Sequence, residues 1–397
     1  MLIRMDELVR AVASAFEIVE SELLGATNNH GKRIAVLCSL MGRELGMDDA
    51  QILALTTCAL FHDNALTEYI LSEKVQVGKE QELNMRLHCE YGQRNIEKLP
   101  FEADVTGLVL YHHELADGSG PFGKKEGEYP LGAELIAIAD MVDVIYKLEF
   151  AEASDLPAIR DGIKSQTGKL YTKRAVDAMQ AILDDAALES LRDDKVDQTA
   201  RALIPVWEVD VEDDAITKLA ELVAQIIDYK STYTRSHSIE IAKKVWIMCD
   251  YYGIDHTTRA KAYLAAALHD IGKLAVPTHI LEKPGKLTDE EFAIIKSHTN
   301  MTHKLLSGIT GFDDICNWAS NHHEKLDGSG YPRAKQACDL DHISRLLTCV
   351  DIYQAVSEKR PYHPVRSHAE TMVILREMAE KGQIDGTIVN DLDKVFA

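Results

Sequence analysis

The sequence predicts an all-α chain made of two tandem domains of one helical fold. Two observations carry this. Apolar residues recur at helical spacing in each long apolar segment. A set of polar landmarks also occurs twice, about 210 residues apart, a period too long for a solenoid.

The elements follow in order. Helical spacing predicts helices over Met5–Leu24, Ile34–Leu45 and Asp49–Phe61, then over Ile216–Tyr229, Ile239–Tyr252 and Thr257–Leu268. Asp255 and Thr288 stand where N-caps belong, and Thr288 with Glu291 forms a capping-box pattern. Gly272 reads as the cap closing the helix that ends near His269-Asp270. No alternating run with turn chemistry argues for a sheet. The first domain is expected to span 1–185 and the second 212–397. Residues 186–211, entered through an acidic stretch and containing Pro205, read as a linker.

Composition sets outer bounds. The 397 residues are 46% hydrophobic and 27% charged, the balance of a globular protein. Asp and Glu number 64 against 43 Lys and Arg, a formal charge of −21, which repels DNA and RNA polymers. A phosphate-bearing ligand then needs a local site that carries cations. No apolar run approaches the length of a membrane span. The N-terminal MLIRMDELVR turns charged before a signal-peptide core could form. Seven cysteines without a C-x-x-C pair read as reduced thiols, and a cytoplasmic protein is expected. No phosphate-cradling loop of the G-x-x-x-x-G-K-[ST] type and no G-x-G-x-x-G turn is present.

The doubled constellation carries the chemistry. YHHELADGSGPFG at 111–123 faces NHHEKLDGSGYPR at 321–333. Around these, His30 corresponds to His237, His62-Asp63 to His269-Asp270, His88 to His298, His112-His113 to His322-His323, and Asp140 to Asp351. Each copy thus offers five histidines and two aspartates at matching spacing. A lone histidine is ordinarily a surface or satisfied core residue, but seven positions recurring as a set are not explained that way. Imidazole nitrogen and carboxylate oxygen suit Fe, Mn or Zn. Seven side chains, one carboxylate bridging, give four ligands to each of two divalent ions. Two such ions, about 3.5–4 Å apart, clamp a phosphate and lower the pKa of water. Lys273, within a turn of Asp270, is a compact charge suited to a phosphate oxygen.

These residues resemble a known family. His269-Asp270-Ile271-Gly272-Lys273, then His322-His323-Glu324 and Asp327-Gly328-Ser329-Gly330-Tyr331-Pro332, are similar to the HD-GYP branch of the HD-domain phosphohydrolases. The resemblance is close over 212–397 and degenerate over 1–185. It implies two tandem HD-domain-like helical domains, and a metal-dependent phosphodiesterase that opens a cyclic dinucleotide, chiefly cyclic di-GMP, to the linear dinucleotide and on to GMP. Cyclic GMP-AMP as substrate, or a non-hydrolytic sensor that binds the dinucleotide, are the alternatives. Carried over by position, one ion takes His237, His269, Asp270 and Asp351. The other shares Asp270 and takes His298, His322 and His323. Lys273 and Asp270 are then catalytic, and Lys273, Gly330, Tyr331 and Arg360 contact substrate. Glu324 is read as orienting an imidazole. The family's third-metal Glu is Tyr233 here, so two ions are expected. The second Asp of its D-x-x-D pattern is Gln354, which weakens the expected support of the ligands.

The first domain keeps His30, His62, Asp63, His88, His112, His113 and Asp140 as a second candidate metal site. It lacks the lysine, reading Asn64-Ala65-Leu66, and its loop reads Gly120-Pro121-Phe122. A scaffold or regulatory module is expected there. Beyond the dinucleotide, the expected partner is a second copy of the chain or a signalling protein.

Overall fold

A computed structural model describes residues 2–24, 27–65, 85–210, 214–228, 230, 237–358 and 366–397. Their regular structure is almost entirely helical. The one sheet among them is an antiparallel pair, β1 (Leu2–Arg4) with β2 (Glu208–Asp210), too short to show as alternation in sequence. The chain divides into two units, 16–207 and 1–15 with 208–397. This differs from the division expected from sequence. The stretch 186–211 is not a bare linker: it carries the helix Val196–Leu203 and strand β2, and its residues through Trp207 belong to the first unit. Apolar residues explain the difference, since Leu188, Leu191, Val196, Ala200, Ile204 and Trp207 are buried. The opening residues join the second unit because β1 pairs with β2.

In the first unit, α1 (Met5–Leu24) begins in the other unit and ends here. It is followed by α2 (His30–Glu44), α3 (Asp49–Leu60), α4 (Met85–Ile96) and α5 (Leu131–Tyr146). Helices α6 (Leu156–Ser165), α7 (Lys173–Ile182), α8 (Asp185–Ser190) and α9 (Val196–Leu203) complete it. Helix α2 is the hub, packing on α3, α5, α7 and α9. It can do so because it is buried nearly all round, with Ile34, Ala35, Val36, Leu37, Cys38 and Met41 inaccessible. Asp48 caps α3 by accepting from the Gln51 amide.

The second unit repeats this plan with α10 (Asp214–Asp228), α11 (His237–Tyr251), α12 (His256–Leu268) and a short α13 (Thr278–Leu281). Then come α14 (Asp289–Leu306), α15 (Asp313–Ser320), α16 (His342–Ser357), α17 (His368–Glu380) and α18 (Gly386–Phe396). Its hub is α12, packed on α10, α11 and α15. The small residues of Ala265-Ala266-Ala267 let those neighbours approach closely. The caps fall where the sequence puts them. Asp255 accepts from Thr258, and Thr288 and Glu291 close a capping box on α14. No helix among the described residues is long and apolar enough to cross a membrane. Six of the seven cysteines are buried free thiols, and Cys338 is exposed.

Candidate metal centres

In the second unit, five places in the fold deliver the seven expected side chains to one point. His237 opens α11, His269 and Asp270 follow α12, and His298 stands in α14. His322 and His323 follow α15, and Asp351 stands in α16. Three histidines are aimed by one device. Nδ1 of His269 donates to the carbonyl of Ala266 (2.7 Å), that of His298 to Ile295 (2.6 Å), and that of His322 to Ala319 (2.6 Å). A carbonyl can only accept, so Nδ1 carries the proton and Nε2 presents a lone pair to the centre.

These lone pairs crowd together. His298 Nε2 lies 3.2 Å from His322 Nε2 and 3.4 Å from Asp270 Oδ1. His269 Nε2 lies 3.2 Å from Asp270 Oδ2 and 4.0 Å from Asp351 Oδ1. His237 Nε2 lies 3.3 Å from Asp351 Oδ1, and His323 Nδ1 3.7 Å from Asp351 Oδ2. Three overlapping groups result: His237, His269 and Asp351; His269, Asp270 and His322; and His298, His322 and His323. The donor atoms within each lie within 4.8 Å of one another. His269 Nε2 and Asp270 Oδ1 are buried without a hydrogen-bond partner. Buried acceptors facing one another repel unless a cation sits between them, so this nitrogen and oxygen set fits divalent metal.

The electrostatics agree. Burial lowers the pKa of His298 to about 3 and of His323 to about 4, and pushes His322 well down. These imidazoles are neutral and ready to ligate. Burial would raise Asp270, but its neighbours His269 and the Lys273 ammonium outweigh it and hold the carboxylate well below its usual range. His237 goes the other way. Burial lowers it, yet hydrogen bonds to Asp351 and Glu358 carry it up to about 9.

Local backbone architecture holds the site. Residues 271–275 form a tight turn after His269-Asp270. Gly272 is not the expected left-handed cap. It is glycine because a Cβ there would run into the His298 carbonyl. Its amide donates to Thr302 Oγ1 (3.1 Å), which donates to the His269 carbonyl (3.0 Å). Lys273 Nζ then reaches Asp270 Oδ2 at 2.5 Å. Gly330 packs against the backbone of His323, Glu324 and Lys325, where a Cβ would clash. This lays Tyr331 against His323, ring centroids 4.8 Å apart. Glu324 does not orient an imidazole: its carboxylate accepts from the amides of Arg333 (2.7 Å) and Lys335 (2.9 Å) and so holds the loop. Arg360 and Tyr233 lie outside the described residues.

Two residues escaped the sequence reading. Glu358 accepts from His237 Nδ1 at 2.9 Å, and Gln354 donates to Glu358 at 3.0 Å. Lys296 lies over the Tyr331 ring, 5.6 Å from its centroid. Its position, two residues before His298, was a signal available in sequence.

The first unit assembles its seven residues likewise. Asp63 Oδ1 lies 2.9 Å from His88 Nε2 and 3.8 Å from His112 Nε2, and Asp63 Oδ2 lies 3.5 Å from His62 Nε2. His30 Nε2 lies 3.2 Å from Asp140. Two groups form: Asp63, His88, His112 and His113, and His30, His62 and Asp140. His62 and His112 use the same device, with Nδ1 donating to Ala59 (2.9 Å) and Val109 (2.5 Å). Burial takes His113 down to about 3. His30 is lowered by burial but raised to about 10 by Asp140 and Asp143.

A family model described as HD domain matches residues 16–153 and 221–388. A 3'3'-cGAMP-specific phosphodiesterase of Vibrio cholerae is 29% identical over 375 residues, covering 91% of this chain and 85% of that protein. A cyclic di-GMP phosphodiesterase of Pseudomonas aeruginosa is 34% identical over 152 residues, 37% of this chain and 35% of that protein. The crystal structure of a cyclic GMP-AMP-specific phosphodiesterase of Vibrio cholerae superposes with a TM-score of 0.66 at 21% identity, covering 100% of this chain and 98% of the other. That likeness supports the helical fold.

Proposed function

The chain belongs to the HD-domain family, in its HD-GYP branch, and from that premise we propose that its second unit is a metal-dependent phosphodiesterase acting on a cyclic dinucleotide. The observation that carries this is the convergence of seven nitrogen and oxygen donors, two of their atoms buried without partners, beside Lys273. His237, His269, Asp270 and Asp351 would hold one ion, and Asp270, His298, His322 and His323 the other. Divalent Fe, Mn or Zn held there would supply Lewis acidity toward the phosphoryl oxygens and a lowered pKa for water.

The chain's own residues do the rest. Asp270 spans both halves of the site. Lys273, its side chain 22% exposed, sits where a non-bridging phosphoryl oxygen can accept from its ammonium, offsetting charge that grows as the P–O bond breaks. Gly330 lets the loop backbone lie close to the histidines, and Tyr331 walls the site with an aromatic face.

For the substrate, 3',3'-cyclic GMP-AMP ranks first. The relative matched along 91% of this chain is specific for it, whereas the cyclic di-GMP phosphodiesterase of Pseudomonas aeruginosa matches 37%. Cyclic di-GMP is the second reading. The test is anaerobic purification, metal analysis, and product chromatography against a panel of cyclic dinucleotides. Linear GMP-AMP appearing fastest supports the first reading. No linear product from any member by a metal-replete chain would overturn the phosphodiesterase assignment.

A further inference from the structure

We infer that the first unit is a second ligand site: a metal centre that uses Arg86 as its phosphate-directed cation and takes a phosphate ester with an apolar or aromatic body. The inference does not rest on the activity proposed for the second unit.

The centre is built as a metal site. Its seven residues fall into two donor groups. His88 Nδ1 is buried without a hydrogen-bond partner, while His88 Nε2 and His112 Nε2 both face the one oxygen Asp63 Oδ1, at 2.9 and 3.8 Å. Imidazole nitrogens and a carboxylate crowded together this deeply, with one ring nitrogen left unpartnered, suit a shared cation. Sequence suggested that a missing lysine would leave this centre without a cation for a ligand. The fold supplies one from another direction. Arg86 stands at the start of α4, two residues before His88, as Lys296 stands before His298. Its guanidinium lies 4.8 Å from the centroid of Phe122, in the loop held by Glu114 through the amides of Phe122 (2.6 Å) and Lys124 (2.5 Å). Its ion pair with Glu90 is long, 4.0 Å. A guanidinium offers a fork of donors that matches phosphate oxygens.

A cavity of about 980 Å³ borders the centre, with His112, His113, Asp140 and Arg86 among its polar lining residues. That volume suits a nucleotide-sized ligand. Its lining also includes the apolar Met85, Met141, Val144 and Ile145. Val144 and Ile145 are 61% and 54% exposed, apolar surface that a base or similar ring would cover. A lining that joins candidate metal ligands and Arg86 to apolar side chains selects an ester, not the bare anion.

The test uses the full chain loaded with Mn(II) without oxygen. The His269→Ala/Asp270→Ala chain should retain about two ions, and adding His62→Ala/Asp63→Ala should remove them, as expected of a two-metal site. A double variant holding no metal, or a quadruple variant holding as much as the double, overturns the inference. A second measurement avoids disturbing the ligands. In calorimetry on the double variant, GMP should bind at one site and more tightly than inorganic phosphate. Arg86→Ala should weaken it by about tenfold or more with metal content unchanged, the effect of losing a charged hydrogen bond. Absence of GMP binding, equal affinity for phosphate, or no effect of Arg86→Ala each overturns it.

Discussion

The two centres differ in how they hold their first histidine. In the first unit, Asp143, three residues after Asp140, accepts from His30 Nδ1 at 2.6 Å. Asp143 is itself braced by the fully buried Arg33 at 2.8 Å. In the second unit the corresponding place is Gln354, and no carboxylate stands there. Glu358 lies one helical turn further on, and its longer side chain reaches back to His237 Nδ1. Gln354 turns from acceptor into brace, donating to Glu358. The site requires a carboxylate at that nitrogen, with something to hold it; it does not require a fixed position in the sequence. A buried Arg–Asp pair does this rigidly in one unit, and an amide–carboxylate pair at the end of α16 does it in the other.

The strongest way to break the comparison is to empty each centre in turn. His269→Ala with Asp270→Ala should abolish hydrolysis, because both ions lose ligands that together supply several kcal/mol of transition-state stabilisation. His62→Ala with Asp63→Ala should spare most of it. The reverse result in a product assay would place the chemistry in the first unit.

Lys273→Ala tests the difference at the phosphate. It should lower kcat/KM about ten- to a hundredfold, the value of about 1.5–3 kcal/mol for a hydrogen bond to a charged group, and leave metal content unchanged. Metal loss in that variant would make the lysine structural.

The bracing carboxylates come next. Glu358→Gln and Asp143→Asn should each weaken Mn(II) binding in their own unit about 10–100-fold. Only Asp143→Asn should also lower the melting temperature, since it strips a partner from buried Arg33. Equal melting temperatures would show that the two braces are equivalent.

The smallest effect is on pH. In the metal-free chain, His237 and His30 are raised to about 9 and about 10. Their stabilisation is full below the unfolded value of about 6.5 and is lost as pH rises through those values. His113, His298 and His323 are lowered to about 3–4, so theirs is present above about 6.5 and lost as pH falls. Melting with chelator present should therefore be highest near pH 6.5 in both units. A melting temperature still rising at pH 9 would contradict this.

Much of this was legible in sequence, because metal sites are written in rigid currency: residue type and spacing. The doubled histidines and aspartates could be read before any fold was known, and so could caps such as Thr288–Glu291. What escaped depended on reach or on approach across elements. Glu358 follows Asp351 at no motif spacing, and only the turn of α16 brings it back. Gly272 reads as a cap until the His298 carbonyl is seen against it. Glu324 sits next to a ligand in sequence but points its carboxylate at loop amides. The strand pair Leu2–Arg4 with Glu208–Asp210 is too short to leave a periodic trace.

That strand pair also sets a timetable for the growing chain. Leu2 pairs with Asp210, so β1, made before the first unit, waits for a partner made after it. At about 5–20 residues per second the wait is roughly ten to forty seconds. The first unit is continuous from 16 to 207 and can close as it emerges, while β1 and the start of α1, with Ile3, Met5 and Leu8 destined for the core, remain unpaired. A chain started at residue 208 would be born without that strand, and a chain stopped at 207 would carry it with nothing to bind.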